Sequence, residues 1–352
     1  MEETVVTGPE PPNAPDTLIW DIWMSQHHLP TVTVADELGI FVSLAETPAT
    51  ISELASRMGF DERATAAVLR LLTSLGLLLQ AGGQYHLTAT ARTYLLPDGF
   101  AYWGDVFKNA RTYSLHVLLK EKLLKKAIPV GADGRPNVGD SENAADKWAG
   151  GDIDLTMARN VAAFMHAHSR AAAFGAAETA EFSVASKLLD VGGGSGCFSI
   201  AFAQKRPTLS CTVLELPQMC LVAEEYIGRA GLSPRVNTMP LDMFRQDWPR
   251  DYNAHFYSNI LHDWSFETCA WLAKKTFESL PSGGAIVVHE MLLNDDKAGP
   301  TTTAAFSMLM LHTQGQQFSF DQLREILEAA GFVKVTAKHS YGYYSLVTGV
   351  KP

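Results

Sequence analysis

The segment NILHDW, Asn259 to Trp264, sets an imidazole and a carboxylate side by side just after an apolar run. With an unperturbed pKa of about 6.5, His262 can take up a proton near neutral pH, ligate a metal, or sit as an ordinary hydrogen-bonded histidine. A second chemical feature stands upstream. In LLDVGGGSG, Asp190 precedes Gly192, Gly194 and Gly196 in a D-x-G-x-G-x-G pattern. Glycines at that spacing let the backbone turn sharply and approach a ligand closely, with a helix N-terminus beneath. Such a loop alone serves NAD, FAD or a plain tight turn equally well.

Two more acids follow. Glu215, in VLELP, lies 19 residues after Gly196, and Asp242 and Met243 stand in LDMF. A strand-end carboxylate can accept hydrogen bonds from both hydroxyls of a ribose. A carboxylate beside a soft apolar side chain suits the amino group and face of an adenine.

These residues need a frame. From about Ser186, the apolar runs KLLDV, LSCTVLEL, AHFYSNIL and GAIVVHEML alternate with helical segments such as SFETCAWLAKKTFESL. That alternation predicts a parallel α/β sheet. His262 then falls at the C-terminal end of a strand, the edge where open α/β sheets bind ligands. The final stretch reads as helix, strand, turn and strand.

From Asp16 to Leu96 the pattern is short helices. TISELASRMG carries Thr50 and Glu53 at capping-box spacing, and DERATAAVLRLLTSLGLL puts Ala64, Val68, Leu71, Leu72 and Leu75 on one helical face. LLLQAGGQYHLT reads as a hairpin around Gly82 and Gly83. The outline is a winged helix. Residues 61–78 offer only Arg63 and Arg70 against Asp61 and Glu62, too little for a DNA-reading helix, so an interaction module is expected. Residues 100–178 look mostly helical, with a turn-rich loop, VGADGRPNVGD, at 130–140. The expected division is a flexible tail at 1–16, a winged-helix-like domain at 17–100, a helical connection at 101–180 and the α/β domain at 181–352.

The totals agree with a globular protein: 352 residues, 47% hydrophobic and 19% charged. A net charge of −10 makes nucleic acid a poor partner, and KEKLLKK at 120–126 reads as the solvated face of a helix. Cys197, Cys211, Cys220 and Cys269 form no C-x-x-C pair, which fits reduced thiols in the cytoplasm. The acidic, proline-rich start lacks the apolar core of a signal peptide, and no apolar run approaches the ~20 residues of a membrane span.

Taken in order, LLDVGGGSG, VLELP, LDMF, ILHDW, VVHE and EAAGF, behind the winged-helix outline, resemble the S-adenosylmethionine-dependent O-methyltransferases of the caffeic-acid and hydroxyindole type. The resemblance spans roughly residues 17–352. It implies a Rossmann-like class I methyltransferase domain with a mostly parallel seven-stranded sheet. It also implies a homodimer built on the N-terminal domain, which lends residues to the partner's pocket for a small-molecule acceptor. Asp190, Gly192 and Gly194 would hold the cofactor's amino-acid end, Glu215 its ribose, and Asp242 with Met243 its adenine. His262 would be the general base for a hydroxylated aromatic acceptor, oriented by Glu290, with Asp263 ordering the loop or reaching the site. Met165 and Phe164 sit where relatives line the acceptor, and Met308 is a further candidate. A dinucleotide dehydrogenase fits less well, because the glycine loop begins past the chain midpoint and the remainder suffices for one sheet.

The chain departs from the pattern at three places. Ser258 stands where the family often has a lysine at the cofactor's edge. In HTQGQQFSF, Gln317 replaces a glutamate, and His312 lies in a segment that lines the acceptor pocket in relatives. A glutamine can hold an imidazole but cannot stabilise its charge. A second reading therefore stays open, in which His262, Asp263 and His312 hold a divalent or ferric metal for C-methylation of an α-keto acid, as in a related branch. A non-catalytic dimeric scaffold is the third. His166 and His168 are expected on a helix surface or hydrogen-bonded, and Tyr341, Tyr343 and Tyr344 are expected to support the final strand pair.

Overall fold

The computed structural model describes residues 12–124, 153–181 and 187–352. The loop expected at 130–140, the AADKWAG stretch, most of the N-terminal tail and the last two residues of KEKLLKK lie outside them. The chain forms two compact units that are not consecutive in sequence. A helical unit takes Leu18–Pro129 and Leu292–Phe320, and a sheet unit takes Met1–Thr17, Val130–Met291 and Asp321–Pro352. This differs from the expected boundaries. The connecting region is divided between the units, and residues 292–320 group with the helices instead of the sheet.

The helical unit opens with α1 (Thr17–Met24), α2 (His28–Glu37), α3 (Ile40–Glu46), α4 (Ile51–Met58) and α5 (Glu62–Ser74). The capping box at α4 is formed: Thr50 N donates to Glu53 Oε2 at 2.8 Å, and Glu53 N donates to Thr50 Oγ1 at 3.3 Å. Asp61 Oδ1 caps α5 by accepting from Ala64 N at 2.8 Å. Strands β1 (Leu78–Ala81) and β2 (Gln84–Leu87) pair antiparallel across Gly82 and Gly83, at φ 58° and 81°. Two successive positive φ values are what a type I′ two-residue hairpin turn requires. Helices α6 (Ala89–Tyr94), α7 (Gly104–Phe107) and α8 (Ser114–Leu124) complete this part.

The sheet unit begins with the 25-residue α9 (Leu155–Thr179). Then come β3 (Lys187–Val191), α10 (Cys197–Lys205), β4 (Ser210–Glu215), α11 (Pro217–Arg229), β5 (Val236–Pro240), β6 (Ala254–Ser258), α12 (Phe266–Ser279) and β7 (Ala285–Met291). The chain returns to the helical unit for α13 (Thr301–Leu309) before α14 (Phe320–Ala329), β8 (Val333–Tyr341) and β9 (Tyr344–Val350). The order is β5-β4-β3-β6-β7-β9-β8, parallel through β7, with β9 antiparallel to both its neighbours. Leu188, Leu189, Val213, Phe256 and Val288 are fully buried, as expected of strands covered on both faces. From β3 the chain steps outward to β4 and β5, then crosses back to β6. That reversal opens a crevice at the strand C-termini.

α5 is buried nearly all round, not on the single face its periodicity predicts, because α2, α4, α8 and α13 all pack on it. Arg63 Nη1 donates to the carbonyls of Met310 (3.0 Å) and Gly315 (2.7 Å), and Arg70 Nη1 to Gln316 Oε1 at 3.2 Å. Both arginines of the would-be recognition helix therefore serve the returning segment.

Candidate active site

The glycine loop is shaped by its neighbours. Gly192, Gly194 and Gly196 have φ of 66°, 56° and 73°, a region that side chains disfavour. At Gly192 a Cβ would also stand 2.6 Å from Ile260 Cδ1, whereas one at Gly194 would meet nothing within 4 Å. Beneath the loop, buried Asp190 accepts a hydrogen bond from Ser199 Oγ at 2.7 Å. Burial pushes its carboxyl up to about 6, against the hydrogen bonds from Ser199. From the side, His166 Nδ1 lies 2.8 Å from Ser195 Oγ, and its ring rests 4.3 Å from that of Tyr226. α9 thus braces the loop.

Two cavities open at the strand ends. One, of about 270 Å³, is lined by Asp190 and the glycine loop, by Ser258, and by Met157, Val161, Met165 and Ser169 of α9. The other, of about 70 Å³, is walled by Leu216, Asp242, Met243, Phe244 and Trp264. Gly192, Glu215, Ile260 and Asp263 line both, so the two adjoin there. Glu215 is buried, and Leu216 N donates to its Oε2 at 2.7 Å. Burial pushes it up to about 7, although the N–H groups of Leu216 and Gly194 pull the other way. A group that gains so much from extra donors is suited to sugar hydroxyls. Asp242 is already engaged: its Oδ1 accepts from Phe244 N at 2.9 Å and its Oδ2 from Arg245 Nη1 at 2.6 Å. It keeps lone pairs for one more donor. A ligand with a charged chain, a ribose and a flat base fits this sequence of surfaces.

His262 is buried in a short turn after β6, its Nδ1 3.0 Å from Glu290 Oε2 at the end of β7. Its backbone N–H also donates to Glu290 Oε1 at 3.3 Å, and its Nε2 lies 3.9 Å from Asp263 Oδ1. Burial alone would lower the imidazole pKa, but the charges of Glu290 and then Asp263 outweigh it and hold it above the usual value. Asp263, half-buried, is pushed up to about 6 by burial, which outweighs the attraction of His262. With Nδ1 beside one carboxylate and Nε2 beside another, the imidazole is held between two acids.

Ser258 Oγ is held at 2.9 Å by His289 Nδ1, and His289 Nε2 by Ser340 Oγ at the same distance. The His289 ring stacks on that of Tyr344, 4.7 Å away and nearly parallel, so Tyr344, at the start of β9, packs against β7.

Met308 and His312 come together in the helical unit, lining one cavity, while Gln317 is fully buried in the same unit and accepts no place in that lining. The metal reading gains no support. Among the described residues, no three His, Cys, Asp or Glu side chains gather as a metal site needs.

Sequence reasoning missed most of α9. Met157, Val161, Met165 and Ser169 recur every four residues along one helical face, a period that was available to find them. His168, expected to be a surface or hydrogen-bonded residue, lies near enough that His262 adds to the burial lowering it to about 4; its Nε2 is 3.4 Å from Met165 Sδ. Phe164 is exposed instead.

A sheet of this order, with its ligand crevice at the β3–β6 reversal, is that of a class I methyltransferase using S-adenosylmethionine. More narrowly, the chain belongs to the O-methyltransferase family: residues 142–333 match the O-methyltransferase domain and residues 26–97 the O-methyltransferase dimerisation domain. It is 32% identical to the 3-hydroxy-5-methyl-1-naphthoate 3-O-methyltransferase of Streptomyces sahachiroi over 98% of each chain. It is also 28% identical to the L-tyrosine C(3)-methyltransferase of Streptomyces lavendulae, over 86% of this chain and 82% of that one. In fold it resembles an O-methyltransferase family 2 protein from Planctomyces limnophilus solved with apigenin, with a TM-score of 0.85, 24% identity and coverage of 97% and 98%. Among the described residues no helix is long and apolar enough to cross a membrane.

Proposed function

We propose that the protein O-methylates a hydroxylated aromatic metabolite in the cytoplasm, with His262 as general base. The observation that supports this reading is the 3.0 Å pairing of His262 Nδ1 with Glu290, which places a carboxylate where it can stabilise the imidazolium. S-adenosylmethionine supplies an electrophilic methyl on a sulfonium. As the phenolic oxygen attacks that methyl and the carbon–sulfur bond breaks, the phenol's proton passes to Nε2, and Glu290 stabilises the imidazolium. Asp190, Gly192 and Gly194 hold the cofactor's amino-acid end, Glu215 its ribose and Asp242 with Met243 its adenine. Ser258 takes the edge position, fixed by His289. Met165, Met308, His312 and Gln317 serve the acceptor, and Asp263 adds negative charge beside the base.

The relative that methylates tyrosine at C(3) supports a second outcome from the same base. Deprotonating a phenol also makes its ortho carbon nucleophilic, so a carbon acceptor needs no new catalytic group.

The N-terminal unit is proposed as the seat of a homodimer. Leu18, Ile19 and Ile22 on α1 are 66%, 67% and 62% exposed in the single chain, an unusual load of apolar surface for one helix.

His262→Ala should lower turnover on an aromatic acceptor by roughly 10²–10⁴-fold with cofactor affinity intact by calorimetry. Unchanged turnover would remove the base assignment, and the product's methyl resonance separates oxygen from carbon transfer.

A further inference from the structure

The hydrogen bonds behind Ser258 run in one direction. Ser340 Oγ meets two groups, the Tyr344 carbonyl at 3.2 Å and His289 Nε2 at 2.9 Å. A carbonyl only accepts, so the one hydroxyl proton of Ser340 goes to it, and Nε2 is the ring nitrogen that carries hydrogen. Burial keeps the His289 ring neutral, its pKa pushed down to about 3, and a neutral imidazole has a single N–H. Nδ1 is therefore a bare acceptor. Ser258 Oγ, 2.9 Å away, satisfies it by donating its own proton.

This arrangement has little freedom. Ser258 and His289 are register partners on β6 and β7, and the His289 carbonyl accepts from Asn259 N at 3.3 Å. The fully buried His289 ring lies between Tyr344, stacked at 4.7 Å, and Phe198, edge-on at 5.2 Å. With its proton committed inward, Ser258 offers only lone pairs to the larger cavity, which it lines together with Asp190, Gly192 and Gly194. Asn259 lines the same cavity. It gives its side-chain hydrogen bond to Tyr344, and its buried Oδ1 has no hydrogen-bond partner among the described residues. Two adjacent acceptors suit a ligand group that only donates.

We propose that His289 and Ser340 set the polarity of Ser258 so that its Oγ accepts a hydrogen bond from the α-ammonium of S-adenosylmethionine. His289 is then a positioning residue for the cofactor, although it touches no part of it. This rests on the reading above, which lays the cofactor's amino-acid end along the glycine loop. Of the two charged groups at that end, the carboxylate only accepts and the ammonium only donates.

The test is calorimetry of the full chain with S-adenosylhomocysteine and with its deamino analogue, in which hydrogen replaces the ammonium and the carboxylate stays. The wild type should prefer S-adenosylhomocysteine. Ser258→Ala and His289→Phe should each reduce that preference about tenfold, the scale of one hydrogen bond to a charged group. Affinity for the deamino analogue should be unchanged, which also reports that the variants are folded. His289→Asn, whose Oδ1 can stand where Nδ1 stood, should keep most of the preference. Nitrogen NMR of the wild type should show His289 as the Nε2–H tautomer. Equal losses for the two ligands, a preference that survives Ser258→Ala, or an Nδ1–H tautomer would overturn the proposal. Gly194→Ala reads the placement of the amino-acid end separately. It should weaken S-adenosylhomocysteine and spare 5′-methylthioadenosine, which lacks that end. If it does so while Ser258→Ala keeps the preference, the inference falls and the placement stands. If it weakens both ligands alike, or neither, the placement falls and takes the inference with it.

Discussion

His262 meets Glu290 twice, through its ring at 3.0 Å and through its own backbone N–H at 3.3 Å, so one carboxylate holds both the imidazole and the turn that carries it. The Gln317 substitution removes a different carboxylate from the family pattern. The pairing of His262 survives it.

Glu290→Gln keeps the shape and removes the charge. Because Glu290 raises the His262 pKa, its loss should lower that pKa and move the acid limb of the kcat/KM profile to lower pH. Turnover at the plateau should fall by roughly 10–10³-fold, since the imidazolium loses its stabilising charge. A limb that stays in place would show that another group titrates there.

Glu215→Gln should weaken S-adenosylmethionine by about 10–100-fold, from the loss of charge-assisted bonds to the sugar. Thermal melts without ligand should show the opposite effect. The carboxyl is raised to about 7 in the fold, above its unfolded value of about 4.3. Its stabilising contribution is complete below pH about 4.3 and is lost as pH rises through about 7. Asp190, raised to about 6, acts in the same sense. Glu215→Gln removes this loss, so the melting temperature of the ligand-free variant relative to the wild type should rise between pH about 5 and 8. A difference that stays flat or falls over this range would contradict the sign.

Gly192→Ala meets two obstacles, the left-handed φ and the Ile260 tip at 2.6 Å. The backbone part should cost about 1–2 kcal/mol. Adding Ile260→Val removes the Cδ1 atom, so the double variant should recover the steric part and keep the backbone part. Denaturant melts of the two proteins decide this, and identical midpoints would mean that Ile260 simply moves aside.

Leu18→Glu with Ile22→Glu places two charges on one turn-spaced face of α1. Light scattering should show the wild type as a dimer and the variant as a monomer. A variant that stays dimeric would place the interface elsewhere.

The glycine loop and the strand-end acids were legible because each rests on a local rule. A positive φ calls for glycine at 192, 194 and 196, and ligands gather where parallel strands end. Glu290 needed the family pattern, since nothing local pairs it with a histidine 28 residues earlier. The binding face of α9 was readable in its four-residue period yet hidden by an alanine-rich composition that looks uniformly helical. The docking of 292–320 beside α5 had no local signal at all. It depends on Arg63 and Arg70 meeting carbonyl and amide groups some 245 residues away, and a charged pair of arginines reads on paper as surface.

That docking also sets a timetable for the newborn chain. A ribosome releases α5 early, but the helix that covers it, α13, emerges only after β3 to β7 have been made. Through most of translation the helical unit carries an uncovered apolar flank, a surface on which chaperones and aggregation compete. Its core closes late, in one of the last steps of synthesis.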